Sequence, residues 1–177
     1  MTGETGQAAP GEAARPVPPL IAERRVRPRE VDLFMFSAAT WLTHRIHFDR
    51  DYARTEGFDD LVVHGPLQGA YLAQLLWEAA AAQGGELASL SYRHHRPAYC
   101  AEWLTVTATL ETLNLETLNL KTLGSGTEAE DSGDGFAVEV AVSIRNAADL
   151  LVASGQAVLR LPDQRAVSGL LYGEAGS

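Results

Sequence analysis

Three of the chain's five histidines lie close together in the sequence, at His44, His47 and His64. A neutral histidine can both accept and donate a proton near pH 7, and imidazole is also a common metal ligand. His64 is followed directly by Gly65 and Pro66, where a long apolar run begins. This segment is therefore the first candidate for a functional site.

Two interpretations of these histidines involve no proton transfer. His44, His47 and His64, together with Asp49, have the atom types of a nitrogen and oxygen metal site. However, "HRIHFD" suits a period of two as well as a helical period, and no cysteine assists. Alternatively, the histidines are surface or capping groups, with His64 capping the helix that follows it.

The third interpretation is general acid–base catalysis. Gly65 lies at the start of a predicted helix, where backbone N–H groups have no partner within the helix and the helix dipole is positive. Glycine also lets a ligand approach the backbone closely. Such a position suits a carbonyl oxygen that gains negative charge during a reaction, with a histidine exchanging the proton. Spacing alone does not choose among the three interpretations.

The elements around this segment predict an α+β fold. The run from Pro66 to Gln83 is apolar around most of its circumference, so we expect a central helix. A helix is also predicted in the apolar segment that ends near Trp41, and a short one over Asp51 to Thr55. After position 86 the period changes to two, which predicts at least four mostly antiparallel strands, with Gly155 marking a bulge. The predicted architecture is a sheet wrapped around one helix.

The predicted domain covers residues 20–165, between a disordered tail over 1–19 and a C-terminal tail over 166–177. An imperfect five-residue repeat, "ETLNLETLNL", begins at Glu111 and leads into a Gly-rich acidic loop at about 124–135. We expect this loop to be solvated and mobile, because its composition cannot bury a core.

Composition narrows the classes of partner. Fourteen basic and 23 acidic residues give a net charge of −9, which disfavours nucleic acid. No apolar stretch is long enough to span a membrane, and the N-terminus lacks the apolar core of a signal peptide. The single cysteine, Cys100, fits a reducing compartment, so we predict a cytoplasmic protein.

The segment "HRIHFD…YA…EGF…LVVHGPL" resembles the MaoC-like hydratases and dehydratases. The similarity is greatest to the branch of mesaconyl-C4-CoA hydratase and the 3-hydroxyacyl-thioester dehydratases. It runs from about Arg27 to Leu76 and continues more weakly through "SYRHHRPAYCAEWLTV" and the last strands.

The resemblance implies a single hot-dog fold, in which an antiparallel sheet wraps around a central helix. It implies a lyase that adds or removes water across the α,β bond of an acyl thioester of coenzyme A or acyl carrier protein. The catalytic histidine falls on His47, and the backbone amide that polarises the thioester carbonyl falls at Gly65. His64 and Pro66 belong to the same turn and are expected at the substrate, as is Arg45, whose charge suits carrier phosphates. No cofactor and no metal are predicted.

Leu42 departs from the family pattern. The resemblance implies Asp or Asn five residues before the catalytic histidine, where it would help to hold the reacting water. Leucine neither donates nor accepts a hydrogen bond. One alternative is therefore a redeployed biosynthetic enzyme that isomerises, eliminates or cyclises a polyketide-like substrate. A second is a non-catalytic hot-dog subunit that pairs with an active partner.

The chain has room for one hot-dog repeat. A lone repeat leaves a sheet edge and a sheet face to be covered. We therefore expect a homodimer, or a heterodimer with another hot-dog subunit.

Overall fold

The computed structural model describes residues 20–111 and 136–173, which form five strands and four helices plus one turn of 3-10 helix. In chain order the elements are β1 (Leu20–Val26), α1 (Glu30–Thr40), the 3-10 turn (Arg45–His47), α2 (Arg50–Thr55), α3 (Gly65–Ala81), β2 (Glu86–His94), β3 (Leu104–Leu110), β4 (Phe136–Asn146), β5 (Leu151–Leu161) and α4 (Gln164–Tyr172).

The five strands make one antiparallel sheet in the order β1-β3-β4-β5-β2. Strand β1 therefore forms one edge and β2 the other. Helix α3 contacts all five strands, so it is the central helix that its apolar sequence predicted. None of the helices in the described residues is long and apolar enough to cross a membrane.

The start and the inner face of α3 follow from its residues. Pro66 occupies the first turn, where its missing N–H costs no helical hydrogen bond. Leu72 and Leu76 are fully buried, and Leu75 nearly so, against the sheet. The helix is not covered all round, because Trp77 is 59% exposed.

Buried side chains alternate with more exposed ones along β3 and β4, as the sequence pattern predicted. On β3 the buried side chains are Leu104, Val106, Ala108 and Leu110, and on β4 they are Val138, Val140, Val142 and Ile144. The opposite face carries polar groups, and a hydrogen bond of 2.8 Å joins Thr107 to Ser143. One sheet face therefore holds the core, and the other carries threonine, serine, alanine and charged side chains.

Gly155 does not mark a bulge, so that prediction is wrong. The register is regular across Gly155, and the irregularities in the two pairings of β5 lie between Leu87 and Ser89 and between Ile144 and Arg145. A Cβ at position 155 would lie 2.0 Å from the carbonyl oxygen of Ser91 on β2. Glycine is needed here because two strand backbones approach closely.

Residues 166–172, predicted as part of a tail, form most of α4. The Asp163 carboxylate caps this helix by accepting a hydrogen bond of 2.8 Å from the Ala166 N–H. Ala166, Val167 and Leu170 are buried against the core. The predicted tail over 1–19, the acidic loop and all of the repeat except Glu111 lie outside the described residues.

Candidate active site

A short loop carries His47 from α1 to α2. Helix α1 is followed by Trp41, whose backbone is left-handed with φ 56°, and then by the 3-10 turn. Asp49 caps helix α2, because its carboxylate accepts a hydrogen bond of 3.0 Å from the Tyr52 N–H. The Val62 N–H also donates to the Ile46 carbonyl at 3.0 Å. These contacts place His47 beside the segment that leads into α3.

The hydrogen bond made by His47 defines its tautomer. Nδ1 lies 2.7 Å from the Val62 carbonyl oxygen, which can only accept, so Nδ1 carries the proton. In the neutral ring Nε2 then has a free lone pair. Burial lowers the pKa of His47, the bond to Val62 raises it in part, and nearby His44 lowers it. His47 is therefore a neutral imidazole with a basic Nε2 at pH 7.

His64 lies immediately behind His47. It is completely buried, and its ring stacks on that of His47 with 3.7 Å between centroids and 20° between planes. Its Nε2 is 2.8 Å from the Ser37 hydroxyl, and its side chain does not cap α3. Burial, and then the proximity of His47, lower the pKa of His64 to about 4.

Gly65 is the first residue of α3 and follows His64 directly. The first hydrogen bond within this helix runs from the Gln68 N–H to the His64 carbonyl, and Pro66 has no N–H. Among the residues that the structure describes, the amides of Gly65 and Leu67 have no acceptor, so they are the unpaired donors of the first turn. Because His64 touches His47, these donors and the imidazole share one corner of the molecule.

His94, at the end of β2, lies against Gly65. A Cβ at position 65 would meet the His94 Nε2 at 2.8 Å, so only glycine fits without a shift. Neither His94 nor Ser37 was predicted from the sequence as a neighbour of the site. Ser37 had one weak signal, since it is a small polar residue inside an apolar run, whereas His94 had none.

The remaining site predictions are residues with exposed side chains. Arg45 is held on the surface, with its guanidinium 2.5 Å from the Asp49 carboxylate and 4.4 Å from the centre of the Tyr52 ring. Pro66 is exposed, and Leu42 is 38% exposed beyond the end of α1.

Metal binding finds no support in the described part of the chain. No three His, Cys, Asp or Glu side chains gather there closely enough to hold an ion. The rings of His47 and His64 lie face to face, so their nitrogens do not converge on one point. His44 meets the His47 ring edge-on at 6.3 Å.

Comparison with known proteins agrees with the resemblance seen in the sequence. Mesaconyl-C(4)-CoA hydratase of Chloroflexus aurantiacus is 44% identical over 75 residues, which are 41% of this chain and 27% of that protein. The chain thus spans about a quarter of the length of this curated relative.

Solved structures with the same fold include an (R)-hydratase from A. caviae involved in PHA biosynthesis. It has a TM-score of 0.64 and 20% identity, covering 85% of this chain and all of that one. A MaoC-like dehydratase from Rhodospirillum rubrum has a TM-score of 0.59 and 17% identity, covering 84% of this chain and 94% of that one. The predicted hot-dog fold is confirmed.

The model of the hydroxyacyl-thioester dehydratase type 2 family matches residues 2–100, more than half of the chain. That stretch contains the His47 loop, the His64-Gly65-Pro66 turn and the whole of α3. This chain belongs to the hydroxyacyl-thioester dehydratase type 2 family.

Proposed function

We propose that the chain is a hydro-lyase that adds or removes water across the α,β bond of an acyl thioester. One observation carries the proposal: the bond from Nδ1 to Val62 leaves His47 Nε2 unprotonated, and the His47 ring stacks on His64, the residue directly before the Gly65 amide that begins α3. An enoyl-thioester hydratase needs a base of this kind and a donor for the carbonyl oxygen.

In the dehydration direction, the Gly65 N–H donates a hydrogen bond to the thioester carbonyl oxygen. This stabilises the negative charge that appears as Nε2 of His47 removes the α-proton. The electron pair of the broken C–H bond forms the α,β double bond, and the β C–O bond breaks. The proton on His47 passes to the departing hydroxyl, so water leaves and His47 returns to its neutral form. Hydration is the reverse.

The exposure of Pro66, Arg45 and His64 indicates which of them can contact the substrate. Pro66 is exposed beside Gly65 and is available to the acyl chain. Arg45 bonds Asp49 through Nε and Nη2, so Nη1 of this exposed side chain is the nitrogen available to a carrier phosphate. His64 has no exposed surface, so its role at the substrate is indirect. The carrier of the acyl chain is coenzyme A or acyl carrier protein.

The buried, free thiol of Cys100 suits the reducing cytoplasm, where we place the reaction.

A second hot-dog subunit is the partner that the sheet best accommodates. Strand β2 lies at an edge of the sheet, and its end carries His94 beside the candidate site. An unpaired edge is a surface that a second strand covers. Helix α1 also exposes Val31, Phe34 and Met35. We propose a homodimer, or a heterodimer with a related subunit, which sedimentation and co-purification distinguish.

The test of function is turnover of 3-hydroxyacyl and enoyl thioesters by the purified chain. His47→Ala should lower kcat by about 100-fold or more, because it removes the general base. His44→Ala is the matched control from the same loop, since its exposed ring is not the proposed base. Absence of turnover by the unaltered protein, or unchanged turnover in His47→Ala, overturns the proposal.

Leu42 favours one alternative function. The chain would then be a related enzyme that transfers a proton but neither adds nor removes water. An apolar side chain stands where the resemblance implies a polar group, and it remains partly exposed. In that case isomerisation or elimination of another group from a thioester would depend on His47, while hydration would be absent. Assays with such substrates would separate the two functions.

A further inference from the structure

The pair formed by Ser37 and His64 has no obvious structural purpose. Both side chains are buried, and their one hydrogen bond joins the Ser37 hydroxyl to His64 Nε2 at 2.8 Å. His64 Nδ1 is buried without a hydrogen-bond partner among the described residues. An apolar pair of similar volume would fill this space without the cost of burying polar groups. Stability therefore does not explain the pair.

The position of the pair relative to His47 does explain it. The hydrogen bond to Val62 places Nδ1 of His47, but a single bond leaves the ring free to rock about its own axis. The ring of His64 covers one face of His47 almost in parallel. That stack defines the plane of the His47 ring, and with it the direction of the Nε2 lone pair.

The plane of His64 needs a constraint of its own. Ser37 provides one from the buried side of α1, because its hydroxyl holds the far nitrogen of the ring. Phe36 contributes a tilted contact with 5.0 Å between ring centroids. Helix α1 thereby reaches His47 through two side chains, neither of which has a free surface for substrate.

We propose that Ser37 and His64 are positioning residues that fix the imidazole plane of His47. Ser37 orients His64 through the hydrogen bond, and His64 orients His47 through the stack. The inference rests on the proposed function only in that His47 is the proton-transfer group. The geometry of the two imidazoles can be tested without turnover.

The first experiment is imidazole ¹⁵N NMR of the full chain. In the unaltered protein, His47 should give the signature of one tautomer, with the proton on Nδ1. In Ser37→Ala, His64 loses the one side-chain hydrogen bond that it makes among the described residues. Its ring can then rock, which loosens the bond from His47 to Val62, so the His47 signals should broaden or shift toward a mixture of tautomers. Ser154→Ala is the matched control, since the exposed Ser154–His95 pair has the same 2.8 Å contact away from His47. Unchanged His47 signals in Ser37→Ala overturn the inference.

The second experiment separates positioning from packing. The double variant Ser37→Ala/His64→Phe replaces the polar pair with an apolar one that still places a ring against His47. If the pair serves only packing, this variant keeps wild-type kcat and the His47 tautomer, which overturns the inference. If it positions His47, kcat should fall about tenfold or more with KM within about twofold, even when thermal stability is retained.

Failure of this inference and of the proposed function can be told apart. An inactive wild-type protein whose His47 tautomer responds to Ser37→Ala contradicts hydratase function but supports the positioning pair. An active protein whose His47 is unaffected by either variant supports the function and overturns the pair.

Discussion

The imidazole rings of His47 and His64 lie nearly parallel, with 3.7 Å between their centroids. His47 is hydrogen-bonded to the Val62 carbonyl, and the buried ring of His64 is hydrogen-bonded to Ser37. A proton on either ring would place a charge beside a second imidazole in a partly dry site. Both rings are therefore neutral at pH 7. We expect acid to disturb the site, because it protonates one of the two rings.

The rate of hydration should fall on the acid side of the pKa of His47. The base works only when Nε2 is unprotonated, and burial places the pKa of His47 below 6.5. We expect kcat/KM to be constant around neutral pH and to decrease as the pH falls through this lowered pKa. The groups that face the ring are His44, His64 and the Val62 carbonyl, with Tyr52 behind His44. A pH profile of kcat/KM with its midpoint at or above 6.5 would contradict this prediction.

Stability should also decline in acid, because of His64. The unfolded chain binds a proton at His64 below pH 6.5, whereas the folded chain resists it down to a pKa of about 4. Stability is thus fully present above 6.5 and is lost as the pH falls toward 4, by roughly 3 kcal/mol in total from this group. Urea unfolding at several pH values measures the slope.

The double variant Ser37→Ala/His64→Phe is the control for that slope, because it has no titrating group at position 64. Its stability should depend less on pH than that of the unaltered protein. Lowered pKa values at His47 and His94 leave a smaller slope of the same sign. Identical slopes for the two proteins would show that His64 is not the group responsible.

Two glycines of α3 should respond differently to alanine. In Gly65→Ala the new Cβ meets only the far end of the His94 side chain, at 2.8 Å, which can swing away. The folding free energy should change by about 0.5 kcal/mol or less, while kcat falls because the methyl group narrows the approach to the amide. In Gly69→Ala the Cβ would lie 1.9 Å from the Tyr92 hydroxyl and 2.4 Å from its ring.

The Tyr92 ring must therefore move as a whole in Gly69→Ala, at a cost of about 1–3 kcal/mol. Thermal unfolding and turnover of both variants check the contrast. If Gly65→Ala were as destabilising as Gly69→Ala, His94 would not swing away as argued. If it left kcat unchanged, the proposed role of the Gly65 amide would be wrong.

The elements that the sequence predicted well are those whose pattern is local. The apolar run after Pro66 required a covered helix, and alternation in "LTVTATL" required a strand with one buried face. Strand β1 and helix α4 were missed because both are short, and their apolar residues gain burial only from contacts with elements distant in the sequence. The periodicity of a short segment does not reveal such contacts.

The site divides in the same way. His47 was proposed from the family resemblance, and Gly65 from the same resemblance and its place at the start of a helix, which are properties of adjacent residues. The bond between Ser37 and His64, and the contact of His94 with Gly65, join residues that only the folded sheet and helix bring together. Arg45 illustrates the converse, since its charge suggested a phosphate but its nearest partner, Asp49, lies one helical turn away.

The approach of β5 to β2 at Gly155 predicts a large effect on folding. In Gly155→Ala the Cβ would lie 2.0 Å from the Ser91 carbonyl oxygen and 2.7 Å from the Tyr92 Cα. Because backbone atoms cannot move aside without breaking the strand pairing, we expect a loss of about 3 kcal/mol. Ser154→Ala, one residue away, should change stability by about 0.5 kcal/mol or less. Chemical denaturation of both variants tests this, and equal stabilities would refute the close approach.

Leu42→Asn provides the sharpest test of what reaction the site performs. Position 42 is 38% exposed, so the substitution should cost little stability and should act mainly on chemistry. An amide there can hold a water that leucine cannot, and we expect hydration of enoyl thioesters to rise by about tenfold. Thr43→Asn, at the adjacent exposed residue, is the matched control and should leave the rate unchanged. If the unaltered protein already hydrates enoyl thioesters and Leu42→Asn raises that rate, the protein is a hydro-lyase whose rate is limited by Leu42. If hydration appears only in Leu42→Asn, the unaltered protein moves a proton through His47 without adding water. If the rate is unchanged or lower, Leu42 does not limit the reaction.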